Sequence, residues 1–367
     1  MKRRFLIFLA LIMLTSLSAC NSAAPADSAN TDSGSSPSGE GETYTLTYNY
    51  YGPEVIPPGQ FVLSAAQNIA ERSNGRLTID CYFNGTLLKI GDAITGCING
   101  TADIVFMDSN ILGEGFPLSK VFLMPYLETP PGKKEMDAAF KQLLVDCPEL
   151  HEELNAQGLM YLAMMPAGGY HLHGVSELFD SPSKLAGKTI ENAASPLVGA
   201  LGGNGVTLDP GDLYLSLNTG LLDGQLAHFA MLSGFRLEEL LTTHVIFSNS
   251  KDPTDYYSMY GGGLFTASMG IMMNKASFDA LPPDLQEILT DEFGKMADFI
   301  TARALETTLK SAIDTCVERG DTFVFIGDDD RGPWLPAIES VLNDWFEEVA
   351  AKGYDGQAIY NHLLDLF

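Results

Sequence analysis

Residues 43–51 read TYTLTYNYY and residues 76–82 read RLTIDCY, and the segment between these two runs has the spacing of a helix. The alternation of Thr and Tyr predicts a first strand, and the second run predicts another. The intervening segment predicts a helix with one buried face, because apolar residues recur every four positions at Phe61, Ala65 and Ile69. A third strand is predicted at residues 103–107, DIVFM. Strands that alternate with helices predict an α/β fold in which helices cover both faces of a parallel sheet.

The pattern of strands and helices restarts further along the chain, which predicts a second α/β unit. Strands are predicted at residues 159–165, 188–192, 206–208, 257–274 and 322–326. From residue 283 to residue 318 no proline interrupts the chain after the first position, and apolar residues keep a helical spacing. At 1.5 Å per residue this segment predicts a helix of roughly 50 Å, long enough to run across both units.

The N-terminal residues predict export and a lipid anchor. Three basic residues precede an apolar stretch, residues 5–17, that is too short to span a bilayer comfortably, and Ser-Ala-Cys follows it. This arrangement resembles the bacterial lipoprotein signal, in which residues 1–19 are the signal peptide and Cys20 carries the lipid. An ordinary secretory signal with an unrelated cysteine is the alternative. Residues 21–42 contain no aromatic residue and no aliphatic residue larger than Ala, so residues 20–42 are predicted to form a disordered tether.

The charge balance excludes some partners. Without residues 1–19 the chain has 18 basic and 47 acidic residues, a formal net charge of −29. Such a surface repels nucleic acid and anionic lipid head groups. We therefore expect no nucleic-acid partner, and contact with the membrane through the lipid anchor.

The common sequence motifs of catalysis and metal binding are missing. The chain has no phosphate-binding loop, no Gly-x-Ser-x-Gly elbow, no His-Glu-x-x-His and no dinucleotide fingerprint. Asp328–Asp330 lacks the alternating ligands of a calcium loop. The cysteines beyond residue 20 lack the close pairing of a zinc site, and at least two of them are expected in the core: Cys81, Cys97, Cys147 and Cys316. We predict no enzyme activity, no cofactor and no resident metal; turnover of a bound metabolite is the alternative.

Short motifs follow one another along most of the chain, each too common to be informative alone. They are YGP at 51–53, SNGRL at 73–77, FNGTL at 83–87, GTADI at 100–104, SPSKLAGKTI at 181–190, LYLSLNTGLLDG at 213–224 and MNK at 273–275. In order and spacing, residues 43 to about 342 resemble the DctP-type solute-binding receptors of TRAP transporters. The resemblance implies an α/β, two-lobed periplasmic-binding-protein-like fold, with a ligand cleft between the lobes and a long helix spanning both.

The resemblance also implies an organisation and a role. Lobe one is expected to comprise residues 43–166 and about 253–290, and lobe two residues 167–252 and about 291–367. Such receptors are extracytoplasmic; they close over a small molecule and dock on a sodium-coupled membrane permease. We expect a monomer. The binding component of an ABC importer, or a ligand sensor, is the alternative, since a shared fold does not separate these functions.

The candidate ligand-binding residues follow from the position of ligands in open α/β sheets, beyond the carboxyl ends of the strands. In lobe one they are Tyr51, Glu54, Phe83, Asn84, Met107, Asp108 and Asn110. In lobe two the resemblance brings these residues to the cleft: Tyr170, His171, His173, Glu191, Asn192, Asp209, Pro210, Tyr214, Gln225 and His228. Packing in the lobe-two core is a second interpretation of Tyr214. Metal binding, or ordinary core or surface placement, are further interpretations of the two alternating histidines.

The ligand class is predicted from a departure within the resemblance. The family pattern implies an Arg directly after the Gly-Lys-x-Ile strand, where it clamps a ligand carboxylate; here that position is Glu191. The usual Asn after the Asp-Gly element is replaced by Leu226 and Ala227 at the nearest positions, and Arg236 is the only arginine predicted to be within reach. We expect a neutral, polyhydroxylated or cationic ligand. The alternatives are an alignment that slips by a few residues, or Lys188 or a metal ion in the role of the arginine.

Overall fold

A computed structural model of the chain describes residues 41–113, 115–130, 132–191 and 196–367. The predicted signal peptide, Cys20, all but the last two residues of the predicted tether, and the candidate residue Asn192 lie outside the described residues. Within these ranges, no helix combines the length and the apolar character that crossing a membrane requires.

The described part of the chain contains eleven strands. They are β1 (Tyr44–Asn49), β2 (Leu77–Tyr82), β3 (Ile104–Asp108), β4 (Leu159–Gly169), β5 (His171–Gly174), β6 (Thr189–Glu191), β7 (Asn204–Val206), β8 (Gly224–Ala227), β9 (Thr243–Phe247), β10 (Thr266–Asn274) and β11 (Thr322–Ile326). The first sheet has the order β2-β1-β3-β10-β4, and the second has the order β11-β9-β5-β8-β6-β7.

Both sheets are mixed, whereas the sequence analysis predicted parallel sheets. In the first sheet β10 runs antiparallel to β3 and β4, and in the second β5 runs antiparallel to β8 and β9. The remaining pairs are parallel. Every residue of β3 and β5 is buried, as is nearly all of β10. Strands buried on both faces are continuous apolar runs, and such runs do not encode strand direction.

The same part of the chain contains fourteen α-helices. They are α1 (Pro57–Arg72), α2 (Ala93–Ile98), α3 (Lys133–Asp146), α4 (Pro148–Ala156), α5 (Leu197–Ala200), α6 (Leu213–Asn218), α7 (Phe229–Gly234), α8 (Tyr256–Gly261), α9 (Lys275–Asp279), α10 (Pro283–Gly294), α11 (Met296–Glu306), α12 (Thr308–Arg319), α13 (Leu335–Ala350) and α14 (Gly356–Asp365). The run at 257–274, predicted as a strand, is therefore the helix α8 followed by β10. Gly261 ends α8, and two more glycines follow it before β10; the backbone of the second, Gly263, has a positive φ of 121°.

The predicted single helix at 283–318 is three helices in succession, α10 to α12. The sharper break is at Thr307, whose φ of −126° and ψ of −91° are not helical. The Thr307 hydroxyl donates to the Arg303 carbonyl oxygen at 2.5 Å, a bond that competes with the regular helix ladder and bends helices. The run still passes between the two halves of the molecule, because α10 and α11 pack on α1 whereas α12 packs on α7.

The two sheets are joined where β4 gives way to β5 across a single residue, Tyr170. The returning segment lies directly beside it: the Tyr170 N–H donates to the Phe265 carbonyl oxygen at 2.9 Å, and the Leu264 N–H donates to the Tyr170 carbonyl oxygen at 3.0 Å. A side chain at Gly169 would place its Cβ 1.7 Å from the Gly262 carbonyl oxygen. This close approach of the two connecting segments requires a glycine.

The C-terminal helices contact segments predicted for lobe one. The Trp345 indole on α13 donates to the Pro117 carbonyl oxygen at 2.8 Å, and the Tyr360 hydroxyl on α14 donates to the Pro125 carbonyl oxygen at 2.7 Å. The exact lobe boundaries stay a prediction. The expected core placement of at least two cysteines is confirmed, since Cys97, Cys147 and Cys316 are buried.

Candidate ligand-binding site

A cavity of about 110 Å³ lies where the carboxyl ends of strands from both sheets meet. Tyr50 and Tyr51 follow β1, Asp108 ends β3, and Glu191 ends β6, while His228 follows β8. This is the position that parallel strands favour for a ligand. Because one ordered water needs roughly 10–15 Å³ of such space, the cavity has room for about ten atoms of that size.

Aromatic rings form much of one wall. The Tyr50 and Tyr51 ring centroids are 5.1 Å apart, and the Tyr170 ring stacks on Phe265 at 4.4 Å, outside the cavity. Burial raises the pKa of each of the three tyrosines, so their hydroxyls stay neutral. The lining therefore offers uncharged hydroxyls and ring faces.

Asp108 and Asn110 form the first polar cluster. The Asp108 Oδ1 accepts hydrogen bonds from the Asn110 N–H at 3.0 Å and from the Asn110 Nδ2 at 2.5 Å, and that Nδ2 also donates to the Tyr170 hydroxyl at 3.2 Å. Because an amide oxygen facing the carboxylate would be repelled, these contacts orient the amide, and the buried Asn110 Oδ1 then has no partner in the described part of the chain. Burial raises the pKa of Asp108 to about 6, although the bonds from Asn110 lower it.

Glu191 and Gln225 form the second polar cluster, on the second sheet. Glu191 is 2% exposed, and its Oε2 accepts a hydrogen bond from the Gln225 Nε2 at 2.8 Å. Gln225 lies one strand away on β8, in register with Glu191. It does not itself line the cavity, so its role is to orient the carboxylate that does.

His228 completes the polar lining. Its ring is 9% exposed, and its Nδ1 is buried with no hydrogen-bond partner among the described residues. Burial lowers the pKa of His228 to about 3, so the ring is neutral near neutral pH. A neutral imidazole nitrogen without a partner can accept from a ligand or donate to one, depending on the tautomer.

The predicted site residues divide into three groups. Those that line the cavity are Tyr51, Asp108, Asn110, Tyr170, Glu191, Pro210 and His228. Asn84 and Asp209 line an adjacent pocket that shares Tyr51 and Pro210 with the cavity. The others lie elsewhere: Glu54, Phe83, Met107, His171, His173, Tyr214 and Gln225, with Asn192 outside the described residues.

Physical reasons account for the residues that lie elsewhere. Met107 precedes Asp108 on the same strand, so alternation turns it to the opposite face, into the core. Phe83 packs edge-on against Tyr50 and supports it from behind. Glu54 is exposed, and Tyr214 is also exposed, its hydroxyl donating to Glu239 at 3.0 Å. The core interpretation of Tyr214 is therefore wrong, and its role in the cleft stays a prediction.

The two alternating histidines belong to the core of the second sheet. The His171 Nε2 lies 3.0 Å from the Met259 carbonyl oxygen, and its Nδ1 accepts from the Phe247 N–H at 3.2 Å. His173 bonds the Ala227 carbonyl oxygen and, at 2.8 Å between the two Nδ1 atoms, His244. Neither ring reaches the cavity.

A possible metal-ligand set lies beyond these histidines, formed by His244, Cys316 and Asp321. The Asp321 carboxylate already accepts from Arg319, at 2.7 Å from Nε and 2.5 Å from Nη2, and its Oδ2 lies 3.2 Å from the His244 Nε2. An arginine held against the carboxylate opposes a cation at the same atoms. These residues fit an internal hydrogen-bond network better than a metal centre.

Sequence reasoning missed the contribution of helices. Three residues of α11 and α12 at intervals of four line the cavity: Ile300, Ala304 and Thr308. Other lining residues that were not predicted are Tyr50, Met231, Phe235 and Tyr260. The interval of four residues indicates that the three side chains share one helix face. That this face lines the cavity follows only from the packing of α11 on α1 and of α12 on α7.

The cavity contains no arginine or lysine among its described lining residues. Arg236 is exposed and pairs with Glu239, so it does not replace the missing family arginine. Arg331, which directly follows the acidic residues Asp328–Asp330, is buried and donates to the carbonyl oxygens of Tyr126 and Gly263 at 2.9 and 2.8 Å. The other four arginines among the described residues form ion pairs outside the cavity: Arg72, Arg76, Arg303 and Arg319.

Comparison with known proteins defines the class. A solved marine metagenome TRAP solute-binding protein specific for aromatic acids, in complex with 3-hydroxybenzoate, has a TM-score of 0.75 and 19% identity, covering 89% of this chain and 98% of that one. The fold is therefore that of the two-lobed TRAP periplasmic binding proteins. The predicted fold class is confirmed.

The family follows from sequence. Residues 49–349 match the family model for bacterial extracellular solute-binding proteins, family 7, called DctP, and the chain belongs to that family. A solute-binding protein of Verminephrobacter eiseniae is 23% identical over 320 residues, 84% of this chain and 86% of the relative. The ectoine-binding periplasmic protein TeaA of Halomonas elongata is 24% identical over 253 residues, 68% of this chain and 69% of the relative. The family is one of extracytoplasmic solute receptors, as the motif order predicted.

Proposed function

We propose that the protein captures a small molecule in the cavity lined by Asp108 and Glu191 and delivers it to a sodium-coupled TRAP-type permease. The observation that supports this most is the convergence of strand ends from both sheets on one cavity, where buried polar atoms of Asn110 and His228 have no hydrogen-bond partner among the described residues. A receptor that holds its ligand between two sheets binds by closing and releases by opening. No catalytic step is part of this function.

The ligand is not a simple carboxylate. Glu191 lies where the family resemblance implies an arginine, and neither arginine nor lysine is present among the described lining residues. A buried carboxylate repels a bound carboxylate, but it accepts hydrogen bonds from hydroxyls and pairs with a cation. The ligand is therefore neutral, polyhydroxylated or cationic.

Calorimetry with simple mono- and dicarboxylates tests the ligand class. The wild-type protein in the presence of a chelator is expected to bind none of them, whereas Glu191→Arg is expected to gain affinity for at least one. Micromolar binding of such an acid by the wild type without metal would show that the ligand class is wrong. The delivery step is tested separately, by co-purification of the protein with a TRAP-type permease.

The protein is held at the membrane by a lipid on Cys20, with residues 20–42 as a flexible tether. This follows from the signal-like N-terminus, where small residues precede the cysteine. Cys20→Ser is expected to move the protein from the membrane fraction to the soluble fraction, with an unchanged circular dichroism spectrum. Unchanged membrane association of Cys20→Ser would exclude this anchor.

A further inference from the structure

We propose that the ligand carries a positively charged nitrogen, which binds between the carboxylates of Asp108 and Glu191 and against the tyrosine wall of the cavity. This inference rests on the proposed function and narrows its ligand class to organic ammonium compounds. It depends on the charge of the cavity, on the atoms that lack a partner and on the shape and polarity of the remaining lining.

Two carboxylates line the cavity, and neither arginine nor lysine is among its described lining residues. Asp108 is 9% exposed and Glu191 is 2% exposed, and they approach the cavity from different sheets. A buried lysine, Lys133, lies 5.2 Å from the Tyr260 ring centroid, but it does not line the cavity and pairs with Asp137. Because the described lining supplies no arginine or lysine, a cationic group on a ligand is attracted to both carboxylates, and the attraction is stronger where water is excluded.

At least one lining atom without a partner in the described part of the chain is an acceptor. Both bonds from Asn110 to Asp108 use Oδ1, and the Asn110 Oδ1 has no partner among the described residues. The neutral ring of His228, nine-tenths buried, presents a further nitrogen, Nδ1, that has no partner among the residues the structure describes and accepts a hydrogen bond in one tautomer. An ammonium group donates up to three hydrogen bonds and accepts none, which matches a set of acceptors.

The rest of the lining separates an organic cation from a metal ion. Calcium requires about six to eight oxygen ligands, whereas this lining consists largely of aliphatic side chains and tyrosine rings. Neutral tyrosine faces attract a cation within about 6 Å of the ring centroid, and the effect grows when water is excluded. A ligand with a charged nitrogen and a small apolar body therefore matches both the carboxylates and the aliphatic and aromatic part of the lining.

Paired probes test the charge directly. Choline and cyclohexylammonium are compared by calorimetry with their uncharged counterparts, 3,3-dimethyl-1-butanol and cyclohexanol, and with benzoate, each with EDTA and again with calcium chloride. We expect at least one of the two cations to bind with a Kd below about 1 mM and at least about tenfold more tightly than its uncharged counterpart.

Variants assign the effect to the two carboxylates. Glu191→Gln and Asp108→Asn are each expected to weaken binding of the cation by about tenfold or more, because each removes one charge, and to leave binding of the uncharged counterpart unchanged. Glu54→Gln, an exposed acid outside the cavity, is the matched control and is expected to bind the cation as the wild type does.

Three results would overturn the proposal. The first is that each cation binds no more tightly than its uncharged counterpart. The second is that neither cation binds with a Kd below about 1 mM. The third is that benzoate, with or without calcium, binds more tightly than both cations. If benzoate binds and makes the protein more compact, the proposal of an ammonium ligand is wrong, whereas the proposed receptor function is still supported. Failure of permease co-purification would count against the receptor function and not against the ammonium site.

Discussion

At the scale of single residues, the site contains a buried carboxyl group, that of Asp108, whose charged form lowers the stability of the folded protein. The pKa of Asp108 is about 6, above its usual 3.8, because burial disfavours the charged form. The folded protein therefore holds this proton more tightly than the unfolded chain does. The contribution of Asp108 to stability is present at low pH and is lost as the pH rises through about 6. A binding group for a cation is expected to show this conflict between affinity and stability.

Asp108→Asn is predicted to stabilise the ligand-free protein above pH 6 while weakening ligand binding. A shift of about two pKa units corresponds to up to about 3 kcal/mol in the free energy of unfolding, and the gain should shrink towards pH 4. Urea unfolding of the wild type and the variant at several pH values measures the difference. The exposed Asp80→Asn is the control; a gain that does not vary with pH would contradict the explanation.

His171 has the opposite dependence on pH. Both ring nitrogens are bonded to the backbone in a way that suits the neutral ring, and burial lowers its pKa to about 4. The unfolded chain takes up a proton near pH 6.5 while the folded protein does not. Stability contributed by the neutral ring is therefore present above pH 6.5 and decreases as the pH falls towards 4.

His171→Gln is predicted to reduce the loss of stability between pH 6.5 and pH 4, by up to about 3 kcal/mol, since the amide does not titrate. Its two ends can occupy the same backbone bonds. The measurement is the midpoint of urea unfolding of the wild type and of His171→Gln at both pH values. His362→Gln, which removes a half-exposed histidine, is the control. Identical pH dependence in wild type and His171→Gln would show that this ring does not contribute.

At the scale of elements, the connection between the sheets is determined by how closely two chain segments approach. Gly169 ends β4, and the segment before β10 passes over it. Gly169→Ala is predicted to destabilise the protein by about 2 kcal/mol or more, because the added Cβ overlaps the Gly262 carbonyl oxygen and the backbone must move.

The matched control for this prediction is Gly294→Ala, at the end of α10, where an added Cβ meets nothing within 4 Å. That change is expected to be neutral or to stabilise the protein by up to about 1 kcal/mol, through helix propensity. Thermal unfolding of both variants makes the comparison. Equal stability of the two would mean that the connecting segments tolerate a side chain and separate easily.

At the scale of the whole molecule, the cavity has walls from both sheets, so a bound ligand bridges them. We predict that the ligand-free protein samples a more open arrangement and that a saturating ligand makes it more compact. Small-angle scattering of the exported chain with Cys20→Ser, with and without a ligand verified by calorimetry, measures the radius of gyration. An unchanged radius at saturation would exclude closure as the binding mechanism.

The same ligand is predicted to stabilise the closed protein in proportion to its affinity. At a concentration of about 100 times the Kd, the free energy of unfolding should rise by roughly 2.7 kcal/mol. Thermal unfolding at several ligand concentrations checks the size of the effect. Glu191→Gln should show a smaller increase at the same concentration of an ammonium ligand.

Much of the fold and part of the site could be predicted from the amino-acid order. The strands near residues 44–49, 77–82 and 322–326 follow from alternation and β-branched or aromatic composition, which are local properties. The positions of Asp108 and Glu191 at strand ends follow for the same reason. The motif order was sufficient to identify the family, because it spans most of the chain.

Strand direction, helix breaks and the separation of buried from lining residues depended on the tertiary structure. Nothing local distinguishes Tyr170 in the cavity from His171 in the core, or a buried Arg331 from an arginine in a surface turn. Residues at or just after the ends of β1, β3 and β6 form one cavity with residues of α11 only after two sheets have packed and the kinked run from α10 to α12 has crossed between them. The sequence by itself determined where most strands lie, although strands such as β8 and β9 were not predicted, and it put Glu191 where the family resemblance implies an arginine. The tertiary structure alone decided that two such carboxylates share one cavity whose described lining contains no arginine or lysine, because long-range packing determines which side chains meet.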